Sequence, residues 1–182
     1  MKAFLAPIHG YSDFAFRMLC QEYGAQAACI PLVSSTSVLR DISKLKRIDA
    51  HPQEKNLGIQ LFGISPEELG RATALLDETF PFVSWFNLNC GCPSERITEC
   101  GAGSAMMTEP ELVGQSVRSM KNATSRKVSV KLRISGRQGE TLELCRAVQG
   151  CAGVRRRLRN CPCKNHWAGI PGQRGLGNHQ NH

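Results

Sequence analysis

The sequence predicts an α/β fold in which a parallel sheet is laid down one strand at a time. Through residues 1–150, short apolar runs alternate with stretches whose apolar residues recur at helical spacing. Strands separated by a single crossover helix run parallel, and this pattern repeats along the segment. A third observation concerns shape. In "VSVKLRI" (128–134), Val128, Val130, Leu132 and Ile134 point one way, and Ser129, Lys131 and Arg133 the other. An apolar outer face, with Lys and Arg turned inward near the strand's C-terminal end, suits a barrel whose mouth binds an anion. An edge strand with a solvated face has the same pattern. Five strands of a (β/α) barrel and a doubly wound sheet both fit the order of elements.

The elements follow in turn. "AFLAPI" (3–8) reads as a buried strand, and "DFAFRMLCQEYG" (13–24) as a helix with Phe16, Leu19, Cys20 and Tyr23 on its apolar face and Gly24 as its stop. "AACIPLV" (27–33) is a second strand with Pro31 near its end, and "NLGIQLFG" (56–63) a third. Ser65 is the expected N-cap of the next helix, with Pro66 in its first turn, Glu68 closing a capping box, and Leu69, Ala72, Leu75 and Leu76 as its stripe. "FVSWFNL" (82–88) is a fourth strand. Thr108, Pro110 and Glu111 repeat the start signal for a helix that buries Leu112, Val113, Val117 and Met120. "KVSVKLRI" (127–134) is the fifth strand, and "ETLELCRAVQ" (140–149) the fifth helix.

At 182 residues the chain suits one domain, and 41% apolar with 21% charged residues reads as globular. No run approaches the roughly 18 apolar residues of a membrane span, and "MKAFLAPIHGYSD" has too short an apolar stretch for a signal peptide, so a cytoplasmic protein without a membrane partner is expected. In a reducing compartment the nine cysteines would be core residues, metal ligands or catalytic thiols, seldom disulfides. The formal charge of +8 invites a nucleic-acid partner, but it is uneven: residues 151–182 hold six Lys/Arg and no Asp/Glu.

The chemistry concentrates in "NLNCGCPSERITECGAGSAMM" (87–107), at the end of the fourth strand, where barrel enzymes carry catalytic groups. Cys90 and Cys92 form C-x-C, with Cys100 eight residues on and no His nearby. A structural zinc site wants paired C-x₂₋₄-C knuckles, and a redox pair wants C-x-x-C; neither is present. What remains is one functional thiol on a loop that Gly91 turns tightly and Pro93 fixes, with "GAGSA" (101–105) supplying backbone N–H groups, set against the plain alternative of small buried hydrophobes.

"LAPIHGYSDFAFRMLCQEYGA", "IQLFG", "NLNCGCPSERITECGAGSAMM" and "VSVKLRI", in this order and spacing, resemble the tRNA-dihydrouridine synthase family, over about residues 3–150. The resemblance implies a (β/α)8 TIM-barrel fold, here truncated after about five βα units, with residues 151–182 a basic, irregular tail foreign to the family. It implies FMN as cofactor, NADPH as electron donor and tRNA as partner, with the C5–C6 bond of uridine reduced. Cys92 matches the catalytic cysteine, which would protonate C5 after hydride from the flavin enters C6. Thiols in general titrate near roughly 8.5 and so have a proton to give at neutral pH. Asn89 matches the residue that orients the uracil. Lys131 matches the lysine facing the flavin's N1/O2 edge, where negative charge collects on reduction. Gln60 resembles the flavin-contacting glutamine, Ala6 and Pro7 the flavin floor on the first strand, and Arg133 a further flavin or substrate contact. Ile8, where a methionine is commoner, and Pro31, where a glutamate is often found, depart from the family.

After Val154 the family's sixth strand, ending in His-(Gly/Ala)-Arg-Thr, should follow; instead the chain reads "RRRLRNCPCKNHWAGIPGQRGLGNHQNH". Two readings compete with the full enzyme. Cys161, Cys163 and His166, joined by Cys151 or His179, could bind zinc in a small basic RNA-binding module without catalysis. Alternatively the chain is another FMN-dependent barrel oxidoreductase, acting on a free pyrimidine. A frameshift near residues 153–156 explains the tail itself, because codons compatible with "CPCKNH" read V-H-A-R-T when shifted by one base. On that reading the chain as written is poorly soluble, weak in flavin binding and little active. The coding DNA from residue 150 onward is expected to continue in the shifted frame through a strand and a polar loop; other codons there, or an early stop, would rule the frameshift out.

Overall fold

The computed structural model describes residues 3–133 and the backbone of the pair 167–168. The sheet runs β1 (Ala3–Phe4), β2 (Ala25–Ser34), β3 (Leu57–Phe62), β4 (Trp85–Cys90) and β5 (Lys127–Leu132), all parallel and paired in chain order. A doubly wound sheet reverses its strand order at a switch point, whereas a barrel adds each strand beside the last. The order β1-β2-β3-β4-β5 is therefore that of a barrel, here a curled, unclosed half. Beyond it, β6 (Trp167–Ala168) pairs antiparallel with Val130 and Lys131 of β5. The expected helix at 140–149 and the cysteine-rich part of the tail lie outside the described residues.

Helices α1 (Phe14–Glu22), α2 (Ser35–Arg40), α3 (Pro66–Thr79), the single turn α4 (Glu95–Thr98) and α5 (Pro110–Asn122) make the crossovers. The core lies between the sheet's outer face and α3 and α5. Leu57, Ile59, Leu61, Phe86, Leu88 and Val130 from the strands meet Leu69, Ala72, Leu76, Val113, Val117 and Met120, with Leu75, Leu112, Val128 and Leu132 partly buried at its margin. Both apolar stripes expected from the sequence therefore face this core.

Several local expectations are corrected. The first strand stops at Phe4, with Leu5 adding one bond to the Ala27 carbonyl; Pro7, which has no N–H, falls in the loop that follows. The second strand is longer than expected and carries an irregularity between Ile30 and Val33, where Leu32 takes a φ of +50°. The fourth begins later and continues through Cys90, because its ladder with β5 extends to the Asn89–Lys131 and Cys90–Leu132 pairs. Ser65 does cap α3 by accepting from the Glu68 N–H, but the Glu68 carboxylate accepts instead from Thr36 of α2 at 2.6 Å. Thr108 does not cap α5; its hydroxyl donates to the Ala105 carbonyl and Glu109 holds the cap position.

The largest correction concerns α1. Asp13 caps it by accepting from the Phe16 N–H, but Phe16, Leu19 and Tyr23 stand exposed, Tyr23 at 87%, and the helix buries Arg17 instead. The Arg17 guanidinium is fully buried and donates from Nε and Nη2 to the two Glu54 oxygens, at 2.6 and 2.8 Å. It also donates to the Ser12 carbonyl at 2.7 Å and to the Asp49 carbonyl. A planar fork so engaged ties the β1–α1 loop, α1 and the segment before β3 into one unit. Removing one partner of a buried pair strands the other charge, at a cost of about 3–5 kcal/mol. Arg17→Ala is therefore expected to lower unfolding stability by roughly that amount in chemical denaturation, and an added Glu54→Leu to recover a substantial part.

Candidate active site

Along β3, β4 and β5 the side chains alternate, and the residues that miss the core form an inner face. Gln60, Asn87 and Ser129 lie side by side in the parallel register, and Asn89 pairs with Lys131 one step further along. The alternative of a solvated edge strand for β5 does not hold: Ser129 is 4% exposed, and its neighbours Gln60 and Asn87 are fully buried.

This buried polar layer is fully connected. Asn89 Nδ2 donates to Gln60 Oε1 at 2.8 Å, Gln60 Nε2 to Asn87 Oδ1 at 2.7 Å, and Asn87 Nδ2 to Ser129 Oγ at 2.8 Å. Ser129 Oγ donates onward to the Phe86 carbonyl at 3.2 Å. At the other end, Asn89 Oδ1 accepts from the backbone N–H of Gly91 at 3.1 Å and of Cys92 at 3.0 Å. Two donors use both lone pairs of that oxygen, so the second N–H of Nδ2 is what Asn89 has left for a ligand.

The cysteines separate by environment. Cys90 points outward into the core, where burial pushes its thiol up to about 12. Cys29 is also fully buried, and desolvation raises its thiol far above the ordinary value against the lowering pull of Lys131 and Arg17. Cys100 is exposed, and Cys92 is half-buried at the strand end. No group of three or more His, Cys, Asp or Glu among the described residues could hold a metal ion, so within them the C-x-C spacing is not a metal clip.

Two glycines shape the loop, neither by the tight turn expected of Gly91. A Cβ on Gly91 would lie 3.0 Å from backbone atoms of Leu132 and Arg133, so this glycine permits close approach to β5. Gly103 has a φ of +64°, and a Cβ there would lie 2.6 Å from the Cys92 carbonyl oxygen. The "GAGSA" segment is the start of a 3-10 turn, Gly103–Thr108, and its Ser104 N–H donates to that same carbonyl at 2.9 Å. Its backbone thus clasps Cys92.

Lys131 stands on the inner face beside this thiol. Burial pulls its pKa below the ordinary 10.5; Cys92 and Cys29 push it back up, and Arg133 lowers it further. Arg133 itself reaches the Gly91 carbonyl at 3.3 Å. Among the described residues no carboxylate pairs with Lys131 or Arg133. Of the residues expected at the site, Gln60, Asn89, Cys92, Lys131 and Arg133 thus gather at the C-terminal ends of β3, β4 and β5. Ala6 and Pro7 lie past the end of β1, where the Ala6 carbonyl accepts from the Ser12 hydroxyl at 3.3 Å. A hollow of about 480 Å³ lies near them, lined by His9, Tyr11, Ser34, Lys44, Asp49 and Phe62 among others; it includes none of the five. Sequence reasoning set Ser129 on the inward side of the fifth strand but gave it no role, and it missed Asn87, whose signal was the alternation in "WFNLNC", where Trp85, Asn87 and Asn89 share one side.

The family model for dihydrouridine synthase matches residues 4–156. The chain belongs to the dihydrouridine synthase family. It is 36% identical over 122 residues to a Treponema pallidum protein named "Probable tRNA-dihydrouridine synthase", across 66% of this chain and 35% of that one. Against tRNA-dihydrouridine synthase B of Pasteurella multocida it is 28% identical over 167 residues, 88% of this chain and 50% of the relative. Against the tRNA-dihydrouridine(47) synthase [NAD(P)(+)] of Coprinopsis cinerea it is 30% identical over 141 residues, 76% of this chain and 21% of the relative. The chain thus aligns with between a fifth and a half of these relatives' lengths. No helix among the described residues is long and apolar enough to cross a membrane.

A lysine held below its ordinary pKa is a cost to the fold while it stays charged. Between the lowered folded value and 10.5 the unfolded chain binds more protons, so stability rises with pH through that window. Lys131→Met, which removes the charge at similar volume, is expected to unfold at a higher temperature than the parent at neutral pH. The gap should narrow as pH climbs towards 10.5; a pH series of thermal melts checks this.

Proposed function

We propose that this chain carries the N-terminal half of a tRNA-dihydrouridine synthase active site, in which uridine C5–C6 is reduced and Cys92 gives the proton to C5. The observation that carries this reading is a half-buried thiol, fastened by its own backbone N–H, beside an inward-facing lysine at the C-terminal end of a barrel strand. The family and the names of the relatives supply the substrate class.

The inner face fits a flavin along one edge. Lys131, with Arg133 nearby, offers cationic groups that no described carboxylate neutralises, and Gln60 offers the remaining N–H of its amide. Ala6 and Pro7 would form the floor under the ring. FMN, when bound, supplies the hydride for C6, with NADPH as the outside reductant. Asn89, its oxygen already filled by two backbone N–H groups, would donate from Nδ2 to a carbonyl oxygen of the base. The Cys92 Sγ–H bond breaks as the C5–H bond forms, and the thiolate left behind is stabilised by the Lys131 ammonium until solvent returns the proton. Positioned proton transfer of this kind contributes about 10²–10⁴-fold to rate. On the same reading, residues 151–182 replace the family's continuation, and activity of the chain as written is low.

The test uses a chain carrying the shifted-frame continuation, with tRNA lacking dihydrouridine, FMN and NADPH. Cys92→Ala is expected to lose dihydrouridine formation by roughly 10²-fold or more, while NADPH still reduces the flavin. Undiminished product, read by mass spectrometry of the digested tRNA, would overturn the assignment.

A further inference from the structure

The inner face holds two polar side chains that the proposed reaction does not use. Asn87 and Ser129 are buried, and their hydrogen bonds run to Gln60, to each other and to the Phe86 carbonyl, back along the sheet from the loop that carries Cys92. An unpartnered amide or hydroxyl in such a place costs about 1–3 kcal/mol, so their presence calls for a reason.

The hydrogen bonds supply one, because their direction is fixed from both ends. The backbone N–H groups of Gly91 and Cys92 can only donate, and the Phe86 carbonyl can only accept. Between them stand three amides and one hydroxyl, each receiving at oxygen and passing a hydrogen onward. Turning over any one amide would set N–H against N–H on the side it receives from; for Asn89 and Gln60 it would also set oxygen against oxygen on the other, and for Asn87 it would take the Ser129 hydroxyl away from the Phe86 carbonyl. Only one arrangement satisfies the whole chain, and chains of bonds aligned head to tail reinforce one another. The Cys92 backbone is thereby tied, through Asn89, Gln60, Asn87 and Ser129 in turn, to the main chain of β4 six residues behind it.

We infer that Asn87 and Ser129 are positioning residues, which act through Gln60 and Asn89 to hold the Cys92 backbone, and with it the thiol, fixed over the ends of β4 and β5. The catalytic meaning of this inference rests on the reading of Cys92 as proton donor; the mechanical part does not. Asn87 is the centre of the device, since its loss breaks the bonds to Gln60 and Ser129 together. Ser129 is its anchor. Its hydroxyl is the one member that both receives from an amide and gives to the backbone of the neighbouring strand.

The experiment measures amide hydrogen exchange at Gly91 and Cys92 in the purified full chain, with the amides of α3 and of the β3–β4 ladder as internal reference. Asn87→Ala is expected to speed exchange at Gly91 and Cys92 by about 10-fold, the equivalent of losing roughly one net hydrogen bond. Ser129→Ala should give about 3-fold, and Ser129→Thr, which keeps the hydroxyl, should restore the parent rate. Alkylation of Cys92 by iodoacetamide, read on its own peptide by mass spectrometry, should speed up in the two alanine variants and return to the parent rate with threonine. Should Asn87→Ala fail to fold, Ser129→Ala decides. Exchange at Gly91 and Cys92 that stays at the parent rate, that rises only in step with the whole sheet, or that threonine does not restore overturns the inference. The outcome is separable from that of the proposed function. Exchange is read without turnover, so an active Cys92→Ala enzyme would remove the proton donor and leave the positioning chain standing. An inactive one beside unresponsive exchange would do the reverse.

Discussion

The bond from the Cys92 N–H to Asn89 Oδ1 joins the two halves of this architecture, the sheet and the cysteine loop at its end. A parallel strand must give one face to the helices, and here that face is uniformly apolar from Leu57 to Leu132. The other face could have been apolar as well, since barrel interiors are commonly filled by branched aliphatic side chains. Instead it carries amides, a hydroxyl and a lysine. Such a layer is tolerated only when every member finds a partner, and the Ser129–Asn87–Gln60–Asn89 sequence meets that condition with no amide hydrogen bond reversed. Its end point is the backbone of the one half-buried thiol that lies beside a lysine.

Clasping from the opposite side follows a different principle. The Cys92 carbonyl receives the Ser104 N–H, and Gly103 approaches so closely that no side chain fits between. The peptide on the N-terminal side of Cys92 is thus held by a side-chain amide, and the one on its C-terminal side by a 3-10 turn. Asn89 and Gly103 are each required for a separate contact with the backbone of residue 92. That is a physical reason for the compactness of "NLNCGCPSERITECGAGSAMM".

Much of the scaffold was legible in the sequence because period-two and period-3.6 patterns report burial directly. The stripes of α3 and α5, and the outward Val128, Val130 and Leu132 of β5, are where those patterns put them. The first helix shows where the method fails. Phe16, Leu19 and Tyr23 make the better apolar stripe, yet the fold buries Arg17, because a guanidinium with a carboxylate and two carbonyls around it satisfies more than an apolar contact at that position would. That partner set comes from residues 12, 49 and 54, and no local pattern announces it. Cap residues misled for a related reason: Glu68 and Thr108 have the right spacing, but each found a different partner, Thr36 across to α2 and the Ala105 carbonyl within the loop. The candidate site was read at Cys92, Asn89, Gln60 and Lys131, with Ser129 seen to face inward but given no role; Asn87 stayed hidden as a strand residue, although "WFNLNC" alternates as plainly as "VSVKLRI".

Lys131 sets the electrostatics of the inner face. Its burial lowers its pKa, and among the described residues the neighbours that resist the shift are thiols rather than carboxylates. A carboxylate in that place would neutralise the ammonium; on the proposed reading that charge is kept for the flavin edge and for the thiolate that Cys92 becomes. A thiol is neutral while protonated, and it becomes a counter-charge only when its proton has left. The inner face therefore bears a partly desolvated cation that no described carboxylate compensates, and on the proposed reading its compensation comes with ligand or with proton transfer. The fold carries that cost at rest because the connected amide layer beneath and the apolar core outside need no help from Lys131. The apolar core lies on one face of the sheet and the candidate site on the other, and the pleat that separates them is what lets a single strand, β5, serve both.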